Sequence, residues 1–208
     1  MALVTISAAY GAQGSETGRT LAERLGVPFL DRAIPVGVAE RLAVPLEEAE
    51  TRDEKPGSFV ERLLASFMQM GGLYGATIPP GEAPDAAMFR VATEEIIRKH
   101  AESGAGVIIG RAGSIVLADH PGVVRVRLGG PRAARIEQAV HLHGLSREEA
   151  ERQADDNDGV RAAWVQRFYG RDIEDPALYD LVIDATKFDS AACVELIAGA
   201  VAARTTRR

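Results

Sequence analysis

Short apolar runs alternate along this chain with longer segments of helical period. Residues 3–7 form a β-branched run that stops at a glycine-rich turn, the pattern of a buried strand. Leu21 and Leu25 then stand four apart with Ala22 beside them, a helical stripe that Gly26 and Pro28 bring to an end. Residues 27–30 read as a second strand ending at Asp31, and the runs 107–109, 123–128 and 181–183 as three more. Between the second and third strands the period is helical and interrupted. Val36, Ala39 and Leu42 make one stripe; Phe59, Leu63, Phe67 and Met70 make another. Breaks rich in Gly and Pro separate them, and 88–99 resumes a helix with Val91, Ile96 and Ile97 inward.

After the fourth strand, Gly129-Gly130-Pro131 opens a helix to about residue 143. Ser146 and Glu149 have the capping-box spacing and start another helix, which runs through Asp155, Asp156 and Asp158. Ser190 caps a last amphipathic helix carrying Leu196, Ile197 and Val201. Strands alternating with helices, several of them almost wholly apolar, predict a three-layer α/β/α fold on a five-stranded parallel sheet. A single domain over 1–208 is expected, with 33–100 as a helical insert.

Composition narrows the function. Apolar residues make up 46% and charged residues 26%, enough for a packed core and against disorder. The net charge of −6 argues against a nonspecific nucleic-acid binder. No apolar run is long enough for a membrane span, and the N-terminus lacks the basic and apolar regions of a signal peptide. Cys193 is the only cysteine, which excludes an intrachain disulfide. A cytoplasmic protein is expected, with no membrane and no nucleic-acid partner.

The turn after the first strand runs Tyr10-Gly11-Ala12-Gln13-Gly14-Ser15-Glu16-Thr17-Gly18. A glycine turn between strand and helix lets backbone N–H groups converge on an anion at a helix N-terminus. The same turn also serves as a mere tight connection. The full phosphate-loop pattern is not met: counted from Gly11, the second glycine falls on Glu16, the lysine on Thr17 and the hydroxyl residue on Gly18. Arg19 is the nearest cation for the missing lysine's work, or else a solvated surface arginine. Ser15 and Thr17 offer hydroxyls to a phosphate-bound metal. His141 and His143 face apart on a helix, and no cluster has metal-ligand spacing.

Longer stretches carry a family resemblance. They are Ile6-Ser7-x-x-Tyr10-Gly11, Leu25-Gly26-Val27-Pro28-Phe29-Leu30-Asp31-Arg32, Val107-Ile108-Ile109-Gly110-Arg111, and His120-Pro121-Gly122-Val123. To these add Gly144-Leu145-Ser146-Arg147-Glu148-Glu149-Ala150, Asp158-x-x-Arg161-x-x-Trp164, Phe168-Tyr169 and Asp175-Pro176-x-x-Tyr179-Asp180-Leu181-Val182-Ile183. Together they resemble the cytidylate kinase-like family, in the P-loop nucleoside monophosphate kinase superfamily, over nearly the whole chain. Two positions depart from it: Gly14-Ser15-Glu16 replaces a basic neighbourhood in the loop, and Ala112 stands where cytidylate kinases carry aspartate.

The resemblance implies a P-loop kinase that uses ATP and Mg²⁺ and phosphorylates CMP or dCMP. It gives the insert at 33–100 the part of an acceptor-binding flap and 147–175 that of a lid. The departures leave open a kinase for another small metabolite, or a weakly catalytic nucleotide-binding regulator. ATP phosphates would lie on Gly11, Ala12, Gln13, Gly14, Ser15, Glu16, Thr17 and Gly18. Arg111, at the carboxyl end of a strand, would meet the acceptor phosphate or form a structural ion pair. Asp31 would bind the acceptor or cap the next helix. Arg161, with Arg167 and Arg171, would clamp the transferring phosphoryl group; the alternative is that these arginines neutralise Asp155, Asp156 and Asp158. Asp172 and Asp175 would anchor those arginines or cap turns, and Trp164 with Phe168 would pack the lid hinge.

Overall fold

The computed structural model describes residues 2–30, 86–110 and 112–206. The chain divides into two compact units, residues 1–31 with 100–208, and residues 32–99.

The first unit is built on a five-stranded sheet of order β2-β3-β1-β4-β5, every described pairing parallel. Its strands are β1 (Leu3–Ala8), β2 (Phe29–Leu30), β3 (Gly106–Ile109), β4 (Val123–Gly129) and β5 (Leu181–Asp184). The helices are α1 (Gly14–Leu25), α2 (Ala86–Ala101), α3 (Gly113–Val116), α4 (Arg132–His143), α5 (Arg147–Tyr169) and α6 (Ser190–Thr206).

Alternation along the strands sorts the sheet into two unlike faces. Val4, Ile6, Val107, Val124, Val126, Leu128 and Ile183 pack with Leu21 and Ala22 of α1 and with Cys193, Val194, Ile197 and Val201 of α6. Burying side chains of that size contributes about 1.5–3 kcal/mol each before entropy is counted, so this face is the core. The opposite face mixes the buried apolar Leu3, Ile108 and Val123 with polar side chains: Thr5 pairs in register with Arg125, and Ser7 with Arg127. Both arginines tie down the segment before β5. Arg125 makes a forked bond to Asp180, Nε to Oδ2 at 3.1 Å and Nη2 to Oδ1 at 3.0 Å. Arg127 donates to Ser7 Oγ at 2.9 Å and pairs with Glu174.

The expected strands all form, with one shortened. β2 begins at Phe29 rather than Val27, because Gly26 closes α1 in a left-handed conformation and the Val27 N–H stays on the Ala22 carbonyl. Half of the expected capping box forms: Ser146 Oγ accepts the Glu149 N–H, while the Glu149 carboxylate turns to Arg152 and Gln153. Ser190 is not the cap of the last helix. Asp189 takes that place, its Oδ1 accepting the Ala192 N–H, and Ser190 is the first helical residue. The sequence pattern also missed α3, too short to show a period.

In the second unit the described residues are 86–99 of α2. Ile97 is buried as expected; Val91 is not, standing 46% exposed. Glu94 holds both Arg90 and Arg98 one turn away on either side. The rest of the expected flap, 33–85, lies outside the described residues. No described helix is long and apolar enough to cross a membrane.

Candidate functional site

The candidate site is the turn between β1 and α1. Ala9 closes the strand by donating its N–H to Leu128 O, and the Ala12 N–H returns to Ala9 O. Gly11 has φ 76°, and a Cβ there would collide with the Arg135 carbonyl, so position 11 requires glycine on two counts. Gln13, with φ 53°, takes the left-handed conformation without being glycine and hands the chain to α1. The other glycines have another reason. A Cβ on Gly14 would strike Ala8, and one on Gly18 would lie 2.8 Å from Phe29 Cε2, so both let α1 lie close on the sheet.

The loop leaves a row of donors open. The N–H groups of Gly11, Gln13, Gly14, Ser15 and Glu16 have no partner among the described residues. They sit at the positive end of the α1 dipole, an arrangement suited to phosphate oxygens.

Thr17 is withdrawn from this role. It is fully buried, its N–H bonds to Gln13 O, and its hydroxyl lies 3.2 Å from Ser190 Oγ. Ser15, Glu16 and Arg19 are exposed, and Glu16 and Arg19 form no ion pair with a described residue.

Helices α4 and α5 reach the loop with polar side chains. The Tyr10 N–H donates to Asp158 Oδ1 at 2.8 Å, its carbonyl accepts from Arg135 Nη1 at 2.6 Å, and its hydroxyl donates to Gln153 Oε1 at 2.8 Å. Burial, and after it the charge of Glu149, raises the Tyr10 hydroxyl above its ordinary value. Arg135 also donates from Nε to Gly130 O at 3.0 Å and from Nη1 to Asp158 Oδ2 at 2.8 Å. Arg161 donates from Nη1 to Ala8 O at 2.9 Å and stands 3.9 Å from Asp158 Oδ1.

Of the three expected catalytic arginines, the structure brings Arg161 to the start of the loop. Arg167 lies over the Phe168 ring at 5.6 Å, and Arg19 points to solvent. Trp164 and Phe168 pack together, ring centroids 4.3 Å apart. Asp155 pairs with Arg132 of α4. Asp172 and Asp175 cap turns, accepting the N–H groups of Glu174 and Ala177. Asp31 and Arg111 lie outside the described residues. Ala112 follows with φ 55°, a left-handed alanine at the N-cap of α3.

No group of three or more His, Cys, Asp or Glu among the described residues could hold a metal ion. Cys193 is buried in the core, and burial followed by the charge of Asp189 pushes its thiol up, away from nucleophile chemistry.

Sequence reasoning missed Arg135 altogether. One signal was present: Arg135 occupies the buried stripe of α4 beside Ile136 and one turn before Ala139, where an apolar residue is the rule.

A parallel sheet with the glycine turn after its central strand, and a long helix bringing arginine to that turn, is a kinase-type α/β fold. The model of the cytidylate kinase-like family matches residues 3–187, and the chain belongs to that family. Among solved structures, an uncharacterized protein from Eubacterium ventriosum ATCC 27560 is similar with a TM-score of 0.65 at 17% identity, covering 97% of this chain and 98% of that one. A shikimate kinase from Bacteroides thetaiotaomicron is similar with a TM-score of 0.50 at 14% identity, covering 96% and 98%. A gluconokinase from Sinorhizobium meliloti 1021 is similar with a TM-score of 0.50 at 14% identity, covering 99% and 97%. At these identities the likeness is one of fold. No curated protein matches the chain.

Proposed function

We propose that the protein is an ATP-dependent nucleoside monophosphate kinase, with CMP or dCMP as acceptor. In the reaction an acceptor phosphate oxygen forms a bond to the γ-phosphorus of ATP while the bond from that phosphorus to ADP breaks, giving ADP and a nucleoside diphosphate. Such transfer depends on positioning and charge neutralisation more than on covalent help from the protein.

The observation that carries the reading is the set of amides at Gly11, Gln13, Gly14, Ser15 and Glu16 without a partner among the described residues, with the Arg161 guanidinium on the Ala8 carbonyl just ahead of them, in a chain of this family. Gly11, Gln13, Gly14 and Ser15 would hold donor phosphates through backbone N–H groups, while Ala12 and Gly18 shape the turn. Arg161 would supply from α5 the cation that the loop lacks, its fork matching two phosphoryl oxygens. Arg167 and Arg19 are secondary candidates for the same task. Asp31 and Arg111 keep the acceptor-binding role implied by the resemblance. Mg²⁺, arriving with ATP, would neutralise phosphate charge; the exposed Ser15 hydroxyl is available to it, whereas that of Thr17 is held by Ser190.

The missing loop lysine and Ala112 favour a second reading, in which the acceptor is another small metabolite or turnover is weak and binding is the function. ADP release from ATP and Mg²⁺, measured with and without single monophosphates, tests the proposal. Release that depends on CMP or dCMP supports it; release with other acceptors alone, or nucleotide binding without release, selects the second reading.

A further inference from the structure

Tyr10 has all three of its polar groups taken by side chains from α4 and α5. The residue sits immediately before Gly11, where the row of open amides begins. We propose that Asp158 and Arg135 act as a positioning pair, gripping the N–H and C=O of Tyr10 so that the amides after it are already aimed at a phosphate group. The proposal rests on the reading of the loop as a phosphate site.

A glycine turn left to itself loses conformational freedom when a ligand orders it, and that loss weakens binding. Fixing both peptide groups that flank Tyr10 removes part of the cost beforehand. The Arg135 carbonyl fills the space beside Gly11, so the grip continues one residue into the loop.

The charge balance also suits a phosphate. A lone carboxylate on a loop amide would repel an incoming anion. Here Asp158 stands between Arg135 and Arg161, so one negative charge meets two positive ones.

A purely structural brace explains the pair less well. Ile136 and Ala139 of α4 already pack against Ala150 and Ala154 of α5, with Tyr10 against the same cluster. A desolvated ion pair is often no more stabilising than apolar residues of similar volume, so docking the helices did not require one. Arg135 is 8% exposed, and it holds the Tyr10 carbonyl at the loop and the Gly130 carbonyl before α4, which no apolar side chain can satisfy.

The test is calorimetric titration of the full chain with Mg²⁺ and ATP, for the wild type, Asp158→Ala and Asp158→Asn, beside thermal melts and amide exchange of residues 10–16 without nucleotide. Losing the acceptor for the Tyr10 N–H in Asp158→Ala should weaken ATP about tenfold or more and speed exchange in the loop. Asp158→Asn keeps an acceptor oxygen but turns an amide donor towards Arg135, so it should fall between, about threefold weaker. If Asp158→Ala does not fold, the Asn variant carries the comparison, and an affinity equal to wild type in it overturns the proposal. Folded variants that bind ATP as well as wild type, with loop exchange unchanged, also overturn it while leaving the phosphate site standing. A wild-type chain that binds no ATP removes the phosphate reading, and the positioning role falls with it.

Discussion

The Arg161 guanidinium reaches across from α5 to the Ala8 carbonyl at 2.9 Å, placing a cation at the last residue of β1. In a loop without lysine, Arg161 and Arg135 are cations in contact with the backbone that leads to the open amides, Arg161 at Ala8 and Arg135 at Tyr10. Arg161→Ala is expected to lower kcat by about 10²–10³-fold, the usual cost of losing one electrostatic contact to a transition state. The change in KM for ATP should stay within about threefold, since the amides that hold ground-state phosphates remain. Steady-state kinetics check this; a rise in KM with kcat intact would make Arg161 a binding group only.

Gly11→Ala should be more damaging than its size implies. The methyl group meets the Arg135 carbonyl, and φ 76° is strained for alanine. A loss of about 1–3 kcal/mol in urea unfolding is expected, with weaker nucleotide binding in the protein that remains folded.

Arg127 and Glu174 should respond unequally to substitution. The Arg127 side chain is 5% exposed and its Nε has no partner among the described residues, while Glu174 is 67% exposed. Glu174→Gln leaves a buried guanidinium without its counter-charge and should cost about 1–2 kcal/mol, less than for a fully buried pair. Arg127→Met removes charge and unmet donor together and should be nearly neutral. Thermal melts of the two variants decide it; a larger loss for Arg127→Met would show the arginine to be a net stabiliser.

Asp180 gives the fold an acid-sensitive point. Burial works to raise its carboxyl, but the forked bond and backbone N–H of Arg125, with Arg204 nearby, outweigh it and leave it below the ordinary 3.8. The unfolded chain therefore takes up a proton at higher pH than the native one. The stabilisation is whole above about pH 5 and is lost as pH falls through the depressed native value. Asp180→Asn should flatten the stability profile below about pH 4.5, read by denaturation at a series of pH values. An unchanged slope would place the acid sensitivity elsewhere.

The sheet was legible because β1, β3 and β4 are buried on at least one face and their apolar runs say so directly. β2 was read too long because the helix-ending turn at Gly26 also holds Val27, a backbone effect that composition does not reveal. Serine and aspartate are equally good caps, so sequence alone does not separate Ser190 from Asp189; the bond from the Ala192 N–H to Asp189 does. At the site, Gly11 was readable from its setting between strand and helix, while Arg161 was singled out through the family resemblance. The contacts that join them to α4 and α5 were not: Tyr10 and Asp158 lie 148 positions apart, and no local pattern links such residues. Arg135 is one of two arginines on α4, and its tie to Tyr10, 125 positions away, has no local signature either.

The most direct measurement is the fate of the γ-phosphate. ATP labelled at that position, incubated with Mg²⁺, the wild-type protein and CMP or dCMP, should yield labelled nucleoside diphosphate, with little label in orthophosphate. Label that stays in ATP, or appears only as orthophosphate whichever monophosphate is present, would contradict the assignment of this chain as a nucleoside monophosphate kinase.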